Sequence, residues 1–564
     1  MTYSRMPKSV SHDSLIFKFH FNWLVIFLIF ILIESCAKNT SEQIKPETPN
    51  ILLILADDLG YADLGCFGGM VETPHIDSLA ARGIRFSRFH TSPLCAPTRS
   101  MLLSGNDNHI AGMGLMGYRS DIEGYEGCLT NRIATIPEVL KMAGYHTYMA
   151  GKWHLGTDSL SNPSKKGFEH SFVNLLGAGN HYDDKGLFSD FPVTPYTEDG
   201  KPAPWKNGNY STDFFTDKII EYIDLNKANN KPFFAFAAYT SPHWPLQVDE
   251  KYWKKYKGKF DAGYDALKKA NLETLKQAGM IPENAVLPPN SKRVKPWNTL
   301  SEEQKKIERR KMELYAGMVD NLDFNIGRLI DHLRTIGKLE NTLIVVMSDN
   351  GAAAEDFYYS DYFGPFLKQQ QFNDEYEDMG KPNSFISYGP QWAEAGSSPF
   401  KFYKGLVTEG GINTPIIMAG PGVQLKNKIE DAFVTVMDLA PTFYDLAKTS
   451  YPDSLRGKAI FPLKGNSLVP LISGKSKEVH NEDYVFGLEH DNIAMIRKGS
   501  WKITNLSRPF VQDSFKLYNL QNDLAEIHDL KQINPEKYQE LIAEWLNFKE
   551  VNKVRIPFET DEQF

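Results

Sequence analysis

The chain of 564 residues is longer than a single hydrophobic core usually supports, so we expect one large domain and one smaller domain. Its composition, 42% hydrophobic and 23% charged, is that of an ordinary globular protein. The formal net charge of -8 argues against nucleic acid as a partner, because domains that bind nucleic acid present basic surfaces.

The N-terminus has the pattern of an exported protein. Residues 23–33 are an unbroken apolar run, too short to span a bilayer but the usual length for the core of a signal peptide. We predict a signal peptide over 1–35 and a linker over 36–49. Cys36 closely follows the apolar run, as in bacterial lipoproteins, so we predict a periplasmic protein or one anchored to a membrane by a lipid on Cys36. A simple cleaved signal peptide is the alternative.

Three cysteines remain when Cys36 is processed separately: Cys66, Cys95 and Cys128. Disulfides form in exported proteins, so an odd number means that at least one cysteine is unpaired or modified. The spacing does not identify which one.

The mature fold is predicted to begin at Asn50. Ile51–Leu55 is an unbroken apolar run, typical of a strand buried on both faces of a parallel sheet. Asp57 and Asp58 follow it, and two carboxylates at a strand end can both reach a cation. The alternative is that one of them caps the next turn.

The segment Ser92–Gly105 is predicted to contain a short helix. Pro97 suits the first turn of a helix, which places Cys95 at the N-terminus, where free N–H groups favour negative charge. Arg99 adds a positive charge one turn further on. The pattern predicts an anion site with a cysteine at its mouth, and a buried structural cysteine is the alternative.

Two later segments carry further candidate groups. Lys152 and His154 follow a predicted strand that begins at His146, and residues two apart share one face of an extended chain. His243 lies between two prolines after the apolar strand Phe233–Tyr239, which suits a rigidly held catalytic group. The alternatives are a solvated lysine and histidines that only pack or make structural hydrogen bonds.

A second apolar strand repeats the pattern of the first. A long amphipathic helix, Glu302–Ile336, precedes the strand Leu343–Met347, which leads into Asp349 and Asn350. Beside the Asp57–Asp58 pair, these side chains would form a site of oxygen ligands without His or spare Cys. Such a site favours calcium or magnesium over zinc.

Three other stretches have weaker patterns. Residues 249–311 are lysine-rich and are predicted to be exposed helices and loops with a solvated basic face. Residues 352–403 are rich in Tyr, Phe, Gly and Pro without clear periodicity, and so long an irregular stretch is usually functional. Val434–Leu446 is predicted to be helical, with Pro441 near a bend or near its start.

Strands and helices alternate over residues 50–472, which predicts an α/β domain with a mostly parallel central sheet flanked by helices. Over residues 473–564 the strands are shorter and less hydrophobic, and a terminal helix, Pro535–Phe548, closes the chain. We predict a smaller α+β domain there, built on an antiparallel sheet.

Six short motifs follow one another along the chain. Cys95–Gly105 reads C-A-P-T-R-S-M-L-L-S-G and Gly151–Gly156 reads G-K-W-H-L-G. The others are Asp57–Asp58, Ser241–His243, Asp349–Gly351 and Lys404–Gly411. Together they resemble the type-I sulfatases, the formylglycine-dependent, arylsulfatase-like family whose first signature is C-x-P-[S/T]-R-x-x-x-L-[T/S]-G. The resemblance covers about residues 50–550 and implies the fold of the alkaline phosphatase superfamily.

The resemblance also implies a modified residue, a metal ion and a class of substrate. It implies that Cys95 is converted to Cα-formylglycine by a separate formylglycine-generating enzyme, a partner during maturation. The implied metal is Ca2+ in preference to Mg2+, and the implied substrate is a sulfated small molecule or glycan. The implied metal ligands are Asp57, Asp58, the converted Cys95, Asp349 and Asn350.

Roles for the remaining residues follow from the resemblance. Arg99 would hold the hydrated aldehyde and the metal-bound carboxylates. Lys152 and Lys404 would neutralise the sulfate oxygens. His243, with Lys404, would protonate the leaving oxygen, and His154 would remove the proton of the second hydroxyl of the hydrate.

The predicted function is hydrolysis of sulfate esters by an exported sulfatase, on aryl, alkyl or carbohydrate sulfates. One alternative is a phosphonate monoester or phosphodiester hydrolase of the same superfamily, since some of those enzymes carry a similar cysteine and metal site. A second alternative is an exported lipoprotein that binds sulfate or glycan without catalysis. The complete set of motif residues argues against that second alternative.

Overall fold

The computed structural model describes residues 1–2, 48–117, 119–206, 208–229 and 231–556. Pro49–Phe564 forms one compact unit, and the fold and site below belong to it. Apart from Met1 and Thr2, the predicted signal peptide lies outside the described residues, as do most of the predicted linker and Cys36. No helix among the described residues combines the length and apolarity needed to cross a membrane.

A large central sheet organises the compact unit. In chain order its strands are β1 (Asn50–Ala56), β2 (Ile84–Phe86), β3 (His146–Lys152), β4 (His170–Asn174), β5 (Tyr196–Glu198), β6 (Lys201–Pro202), β7 (Phe233–Ala238), β8 (Thr342–Ser348), β9 (Ile416–Ala419) and β10 (Lys428–Glu430). In spatial order they run β10-β2-β9-β8-β1-β7-β3-β4-β5-β6.

The middle of the sheet is parallel, as predicted. The neighbouring strands β8, β1, β7, β3 and β4 all run the same way, whereas β9 and β5 add antiparallel margins. Every residue of β1 is buried, because helices cover both faces of the sheet. Leu52 and Ile54 of β1 belong to the core on one face, and Ile51 and Leu53 to the core on the other.

The helices divide between these two faces. The long helix α8 (Glu302–Thr335) and helix α5 (Ser211–Leu225) pack on the Leu52 face, and helices α2 (Cys95–Ser104) and α12 (Leu439–Leu446) pack on the opposite face. The α-helices of the described residues are α1 (Pro74–Arg82), α2 (Cys95–Ser104), α3 (Asn108–Ala111), α4 (Ile136–Met142), α5 (Ser211–Leu225), α6 (Glu250–Trp253), α7 (Tyr264–Gln277), α8 (Glu302–Thr335), α9 (Gly364–Gln369), α10 (Gly389–Gly396), α11 (Glu409–Ile412), α12 (Leu439–Leu446), α13 (Val469–Ile472) and α14 (Pro535–Val551).

Two predicted stretches differ from the structure. Val434–Leu446 is not helical throughout, because Val434–Thr435 pairs as a short strand and α12 begins only at Leu439. The lysine-rich stretch 249–311 is not simply a solvated face. Its Lys268 is buried and pairs with Glu394 at 3.1 Å, since α7 packs against α10.

The C-terminal part is a four-stranded antiparallel sheet, as predicted, with α14 packed on one face. Its strands are β11 (Val485–His490), β12 (Ile493–Lys498), β13 (Trp501–Asn505) and β14 (Lys516–Asn519). Ile496 and Ile503 join the small core under α14, whereas Phe486 and Met495 join the core of the larger sheet. The small sheet therefore packs on both sides, and a domain boundary at residues 472–473 stays a prediction.

A buried histidine of the short helix α3 joins this helix to the C-terminal sheet. His109 Nδ1 lies 2.9 Å from Asp107 Oδ1, and His109 Nε2 lies 2.9 Å from Glu489 Oε2. Burial would lower the pKa of His109, but the two carboxylates raise it to about 9. The imidazole therefore carries a positive charge at neutral pH.

We expect this histidine to make stability fall at alkaline pH. Because the pKa of His109 is raised on folding, its contribution is complete below pH 6.5 and is lost as pH rises through about 9. At about 1.4 kcal/mol per pKa unit, the loss is on the order of 3 kcal/mol. Melting temperatures measured from pH 6.5 to pH 10 should fall more steeply for the wild type than for His109→Gln.

The exposed His528 supplies the control, because its side chain is largely solvated. His528→Gln should show the wild-type pH dependence. Parallel melting curves for His109→Gln and the wild type across this range would contradict the assignment of the charge to His109.

Candidate active site

The carboxyl ends of two neighbouring strands bring the predicted oxygen ligands together. β1 and β8 pair in register, with Ala56 beside Ser348, so Asp57–Asp58 and Asp349–Asn350 leave the sheet side by side. All four side chains are buried. The Asp58 N–H donates to Asp349 Oδ1 at 3.2 Å, and Asn350 Nδ2 donates to Asp58 Oδ1 at 2.6 Å.

Cys95 is the first residue of helix α2, at the N-terminus where the sequence predicted it. It is 2% exposed, and every residue of α2 is buried. Gly105 ends the helix in a left-handed conformation with φ of 64°, and a Cβ there would lie 2.7 Å from Leu463 Cδ2. A residue with a side chain would therefore be strained at this position.

Arg99 links the helix to the strand ends. Its Nε and Nη2 donate to Asp349 Oδ2 at 3.1 and 2.8 Å, and Nη1 donates to the Lys152 carbonyl at 2.9 Å. Nη2 also lies 3.8 Å from Asp57 Oδ1. The guanidinium is thereby held between both predicted ligand strands.

Two lysines point at the same carboxylates from other segments. Lys152, at the end of β3, donates from Nζ to Asp57 Oδ1 and Oδ2 at 3.0 and 2.8 Å. Lys404 Nζ donates to Asp58 Oδ2 at 2.8 Å. Both lysines are buried, and although burial alone would lower the pKa of Lys404, Asp58 raises it well above the ordinary value. The site thus balances three carboxylates with three cations, Arg99 included.

The two predicted histidines lie near this charged cluster. His243 Nε2 is 3.4 Å from Asp58 Oδ2, and its Nδ1 is 2.8 Å from the Trp244 carbonyl. His154 has a left-handed backbone with φ of 57°, and a Cβ on Gly177 would lie 2.5 Å from its ring. Burial and the nearby lysines lower the pKa of both histidines well below the ordinary value, so both rings are neutral.

The structure groups side chains that are able to bind a metal ion. Asp57, Asp58, Cys95 and His243 each offer a ligand atom, and these atoms lie within 4.8 Å of one another. The buried Oδ1 of Asn350 has no hydrogen-bond partner among the described residues, which leaves an amide oxygen free to accept a cation. His243 was not in the predicted ligand set, and the structure places it beside that set.

Burial changes the acidity of two groups here. It raises the pKa of the Cys95 thiol to about 12, so an unmodified thiol stays protonated at neutral pH and is a poor nucleophile. It also raises the pKa of Asp58 to about 6, although Lys404 acts in the opposite direction. Cys66, Cys95 and Cys128 are all free thiols in the structure.

Residues 177–181 and parts of the irregular stretch 352–403 lie beside the two histidines. His181 Nε2 is 3.2 Å from the His243 carbonyl, and Gly177 packs against His154. From the irregular stretch 352–403, Phe357 and Phe385 pack on the indole of Trp244, with ring centroids 4.8 and 5.6 Å away.

Sequence reasoning missed Glu355, which lies in the irregular stretch 352–403. It acts electrostatically on Asp58 and Lys404, and its buried Oε2 has no hydrogen-bond partner within the described part of the chain. The stretch has no periodicity, so no pattern could single out this carboxylate.

The comparison with known proteins agrees with this geometry. The family profile described as Sulfatase matches residues 49–449, most of the chain. The chain belongs to the sulfatase family. A second profile, described as N-sulphoglucosamine sulphohydrolase, C-terminal, matches residues 400–554.

Two curated sulfatases are similar over most of their length. An uncharacterized sulfatase of Schizosaccharomyces pombe is 39% identical over 527 residues, covering 90% of this chain and 95% of that protein. The arylsulfatase of Klebsiella aerogenes is 38% identical over 438 residues, covering 76% of this chain and 93% of that protein. The predicted family and the predicted class, a sulfuric ester hydrolase, are confirmed.

A solved structure shows the same fold. Ps i-CgsB superimposes with a TM-score of 0.65 at 26% identity, covering 92% of this chain and 96% of that chain. It has also been solved in complex with k-i-k-neocarrahexaose. The predicted fold class is confirmed.

Proposed function

We propose that this sulfatase is exported and hydrolyses aryl, alkyl or carbohydrate sulfate esters through a formylglycine derived from Cys95 and a calcium ion. One observation carries the proposal. Cys95 is the first residue of a buried helix, and Arg99 of the same helix donates to Asp349. Lys152 and Lys404 donate to the neighbouring carboxylates of Asp57 and Asp58. Fixed positive charge around a buried residue at a helix N-terminus suits a sulfate group and the charge that develops during its transfer.

Conversion of Cys95 would turn a poor nucleophile into a useful one. A geminal diol, the hydrate of formylglycine, supplies one hydroxyl for attack on sulfur and a second whose loss of a proton releases sulfate and restores the aldehyde. The raised pKa of the Cys95 thiol supports this reading, because the unmodified residue would remain protonated. Pro97 and Arg99 complete the motif by which the modifying enzyme would recognise this segment.

Asp57, Asp58, Asp349 and Asn350 would hold the calcium ion, together with an oxygen of the converted Cys95. Such a cation polarises sulfate oxygens and lowers the pKa of a neighbouring hydroxyl. The carboxylates and amide favour calcium or magnesium, and we propose calcium.

The chain's own cations would stabilise the transferred group. Lys152 and Lys404 would bind sulfate oxygens, exchanging part of their present contact with Asp57 and Asp58. Arg99 would stay on Asp349, since that contact uses two of its nitrogens, and would hold the hydrate in place. These charges are buried, so they act more strongly than they would in water.

Proton transfer would fall to side chains near the charged cluster. The neutral His154 has a lone pair to take the proton of the second hydroxyl. The protonated Lys404 would supply the proton to the leaving oxygen. The Nδ1–H of His243 donates to the Trp244 carbonyl, so the neutral ring presents a lone pair at Nε2 and would have to gain a proton there before it could share that task.

A groove adjoining the segment that contains His181 supports a carbohydrate as the alcohol part of the substrate. Its lining includes Tyr182, Asp183 and Lys185, which follow His181 in the chain, and Gln370 from the irregular stretch 352–403. An aromatic ring beside carboxylate, amide and ammonium groups suits a sugar, which offers apolar faces and hydroxyls together. Ps i-CgsB, a structural neighbour, has been solved with a neocarrahexaose bound, which supports the same class.

For the location of the protein, we propose a signal peptide over residues 1–35 and a lipid on Cys36. The support is the sequence pattern alone: an apolar run of the length typical of signal peptides, closely followed by a cysteine.

The test compares two classes of ester on the same protein, made in a host that converts Cys95. We expect turnover of 4-nitrophenyl sulfate to exceed that of a 4-nitrophenyl phosphonate monoester. Faster cleavage of the phosphonate would favour the phosphonate hydrolase and overturn the proposal. Cys95→Ala, prepared in parallel, reports any contaminating activity.

A further inference from the structure

Glu409 is a fully buried carboxylate that joins three separate parts of the chain. Its Oε2 lies 2.7 Å from His90 Nε2, and its Oε1 accepts from Lys502 Nζ at 2.7 Å. Burial would raise the pKa of Glu409, but Lys502 and His90 lower it well below the usual value. None of these groups touches Asp57, Asp58 or Cys95.

His90, Glu409 and Lys502 belong to three different segments of the chain. His90 lies in the short strand Phe89–His90, five residues before Cys95. Glu409 lies five residues after Lys404, at the start of α11. Lys502 lies on β13, in the C-terminal sheet. One carboxylate therefore ties the segments that carry Cys95 and Lys404 to a distant sheet.

A second carboxylate holds the same lysine in place. Lys502 Nζ is 3.1 Å from Glu526 Oε1, and Glu526 Oε2 accepts the backbone N–H of Glu409 at 2.8 Å. The Glu526 carbonyl accepts from Lys401 Nζ, also at 2.8 Å. Residues 401–409 are thus held to the C-terminal part at both ends.

Between these ends the segment has little freedom. The Lys404 N–H donates to the Ala352 carbonyl at 3.1 Å, and the Gly405 N–H donates to the Pro93 carbonyl, two residues before Cys95, at 2.8 Å. A Cβ on Gly411 would lie 2.0 Å from the Leu406 carbonyl oxygen. A displacement of Glu409 would therefore move the backbone that carries Lys404.

Stability alone gives a weak reason for such a network. Buried ion pairs add little to the free energy of unfolding compared with apolar side chains of the same volume. Their clearest use is to favour one arrangement of the chain over others. A second basic residue of the C-terminal sheet, Arg497, lies opposite Lys502 in the ladder and brings Nη1 to 3.1 Å from His90 Nε2. Positively charged side chains from two neighbouring strands thus contact His90 and Glu409.

We propose that Lys502 is a positioning residue for the active site, holding Glu409 so that Lys404 and the segment leading to Cys95 keep their alignment. The inference rests on the proposed function, in which Lys404 binds the sulfate and shares protonation of the leaving oxygen. Lys502 itself does not reach the reacting atoms. The C-terminal sheet is therefore needed to complete the active site.

The test measures kcat and KM for 4-nitrophenyl sulfate on Lys502→Met and Lys502→Arg, normalised to the formylglycine content of Cys95. We expect Lys502→Met to lower kcat by about 10- to 100-fold, because a shift of about 1 Å in a positioned group costs that much. KM should change less than kcat, and Lys502→Arg should recover part of the loss. Lys498→Met is the matched control, since Lys498 is in the same sheet but pairs with Glu544 on the side of α14.

A folded Lys502→Met with wild-type kcat, or with the same kcat as Lys498→Met, would overturn the proposal. If Lys502→Met fails to fold, Lys502→Met with Glu526→Gln keeps the buried charge balanced and replaces it, with the same two outcomes.

A crystal structure of the folded variant separates this inference from the proposed function. It should show Lys404 Nζ displaced from its contact with Asp58, and an unchanged contact would overturn the inference. If the wild type hydrolyses no sulfate ester, the proposed function fails while this structural comparison still decides whether Lys502 positions Lys404.

Discussion

Cys95→Ala is expected to reduce kcat/KM for 4-nitrophenyl sulfate by about 10⁴-fold or more, because it removes the precursor of the nucleophile. Alanine fits the space, since Cys95 is buried at the start of α2 and its thiol is free. The melting temperature should therefore stay close to that of the wild type, and a large drop in melting temperature would point to misfolding instead.

Cys95→Ser separates nucleophilic attack from the release step. A serine hydroxyl can accept the sulfuryl group but has no second hydroxyl to expel it, so we expect at most about one equivalent of product per protein, followed by arrest. Steady turnover by Cys95→Ser would contradict a need for two hydroxyls on one carbon. Cys128→Ala is the control for loss of a free cysteine outside the site, and its turnover should match that of the wild type.

Removal of the metal is expected to lower turnover by about 10³-fold, since a bound cation contributes several kcal/mol of charge stabilisation. Three buried carboxylates face three buried cations here, and Glu355 adds a fourth carboxyl group near Asp58, so the chain alone supplies no net positive charge. A divalent ion would add the net positive charge that an anionic substrate needs. Dialysis against a chelator, followed by assays with added Ca2+ or Mg2+, measures the effect.

Adding Ca2+ back to the chelated protein also has a readout that does not depend on activity. Ca2+ should raise the melting temperature of the chelated protein, because an ion that binds only the folded state stabilises it. Asp58→Asn should weaken that rise. Full activity after chelation, or equal activity restored by Zn2+ alone, would contradict a calcium site of oxygen ligands.

The convergence of the acidic residues could be predicted because it depends on short-range pattern and one topological rule. Ile51–Leu55 and Leu343–Met347 are continuous apolar runs, and such strands pair in parallel with their carboxyl ends at one edge. Asp57, Asp58 and Asp349 follow those ends closely, so the rule places them at one edge of the sheet. The structure adds that β1 and β8 are neighbours, which brings the side chains together.

The groups that arrive from irregular segments could not be placed by pattern. Lys404 reaches Asp58 across 346 residues of sequence, and only the motif around it marked it as a candidate. His243 approaches the ligand set because its loop turns back toward β1, whereas the sequence had suggested a site without histidine. No motif or periodic pattern in the sequence marked Glu355 as a candidate.

The role of the C-terminal sheet also depends on tertiary packing. In a short strand such as Trp501–Asn505, a lysine ordinarily marks the solvent face. Lys502 is instead fully buried, because the catalytic part packs against that face and supplies Glu409. Lys268 was misjudged for the same reason, since its partner Glu394 is distant in sequence.

The mass of the proteolytic peptide that contains Cys95 tests the central claim most directly. Protein made in its native host, or in a host with a formylglycine-generating enzyme, should yield this peptide with the mass of formylglycine at position 95. The same peptide with the mass of an unmodified cysteine, recovered from protein that still hydrolyses sulfate esters, would contradict the mechanism proposed for Cys95.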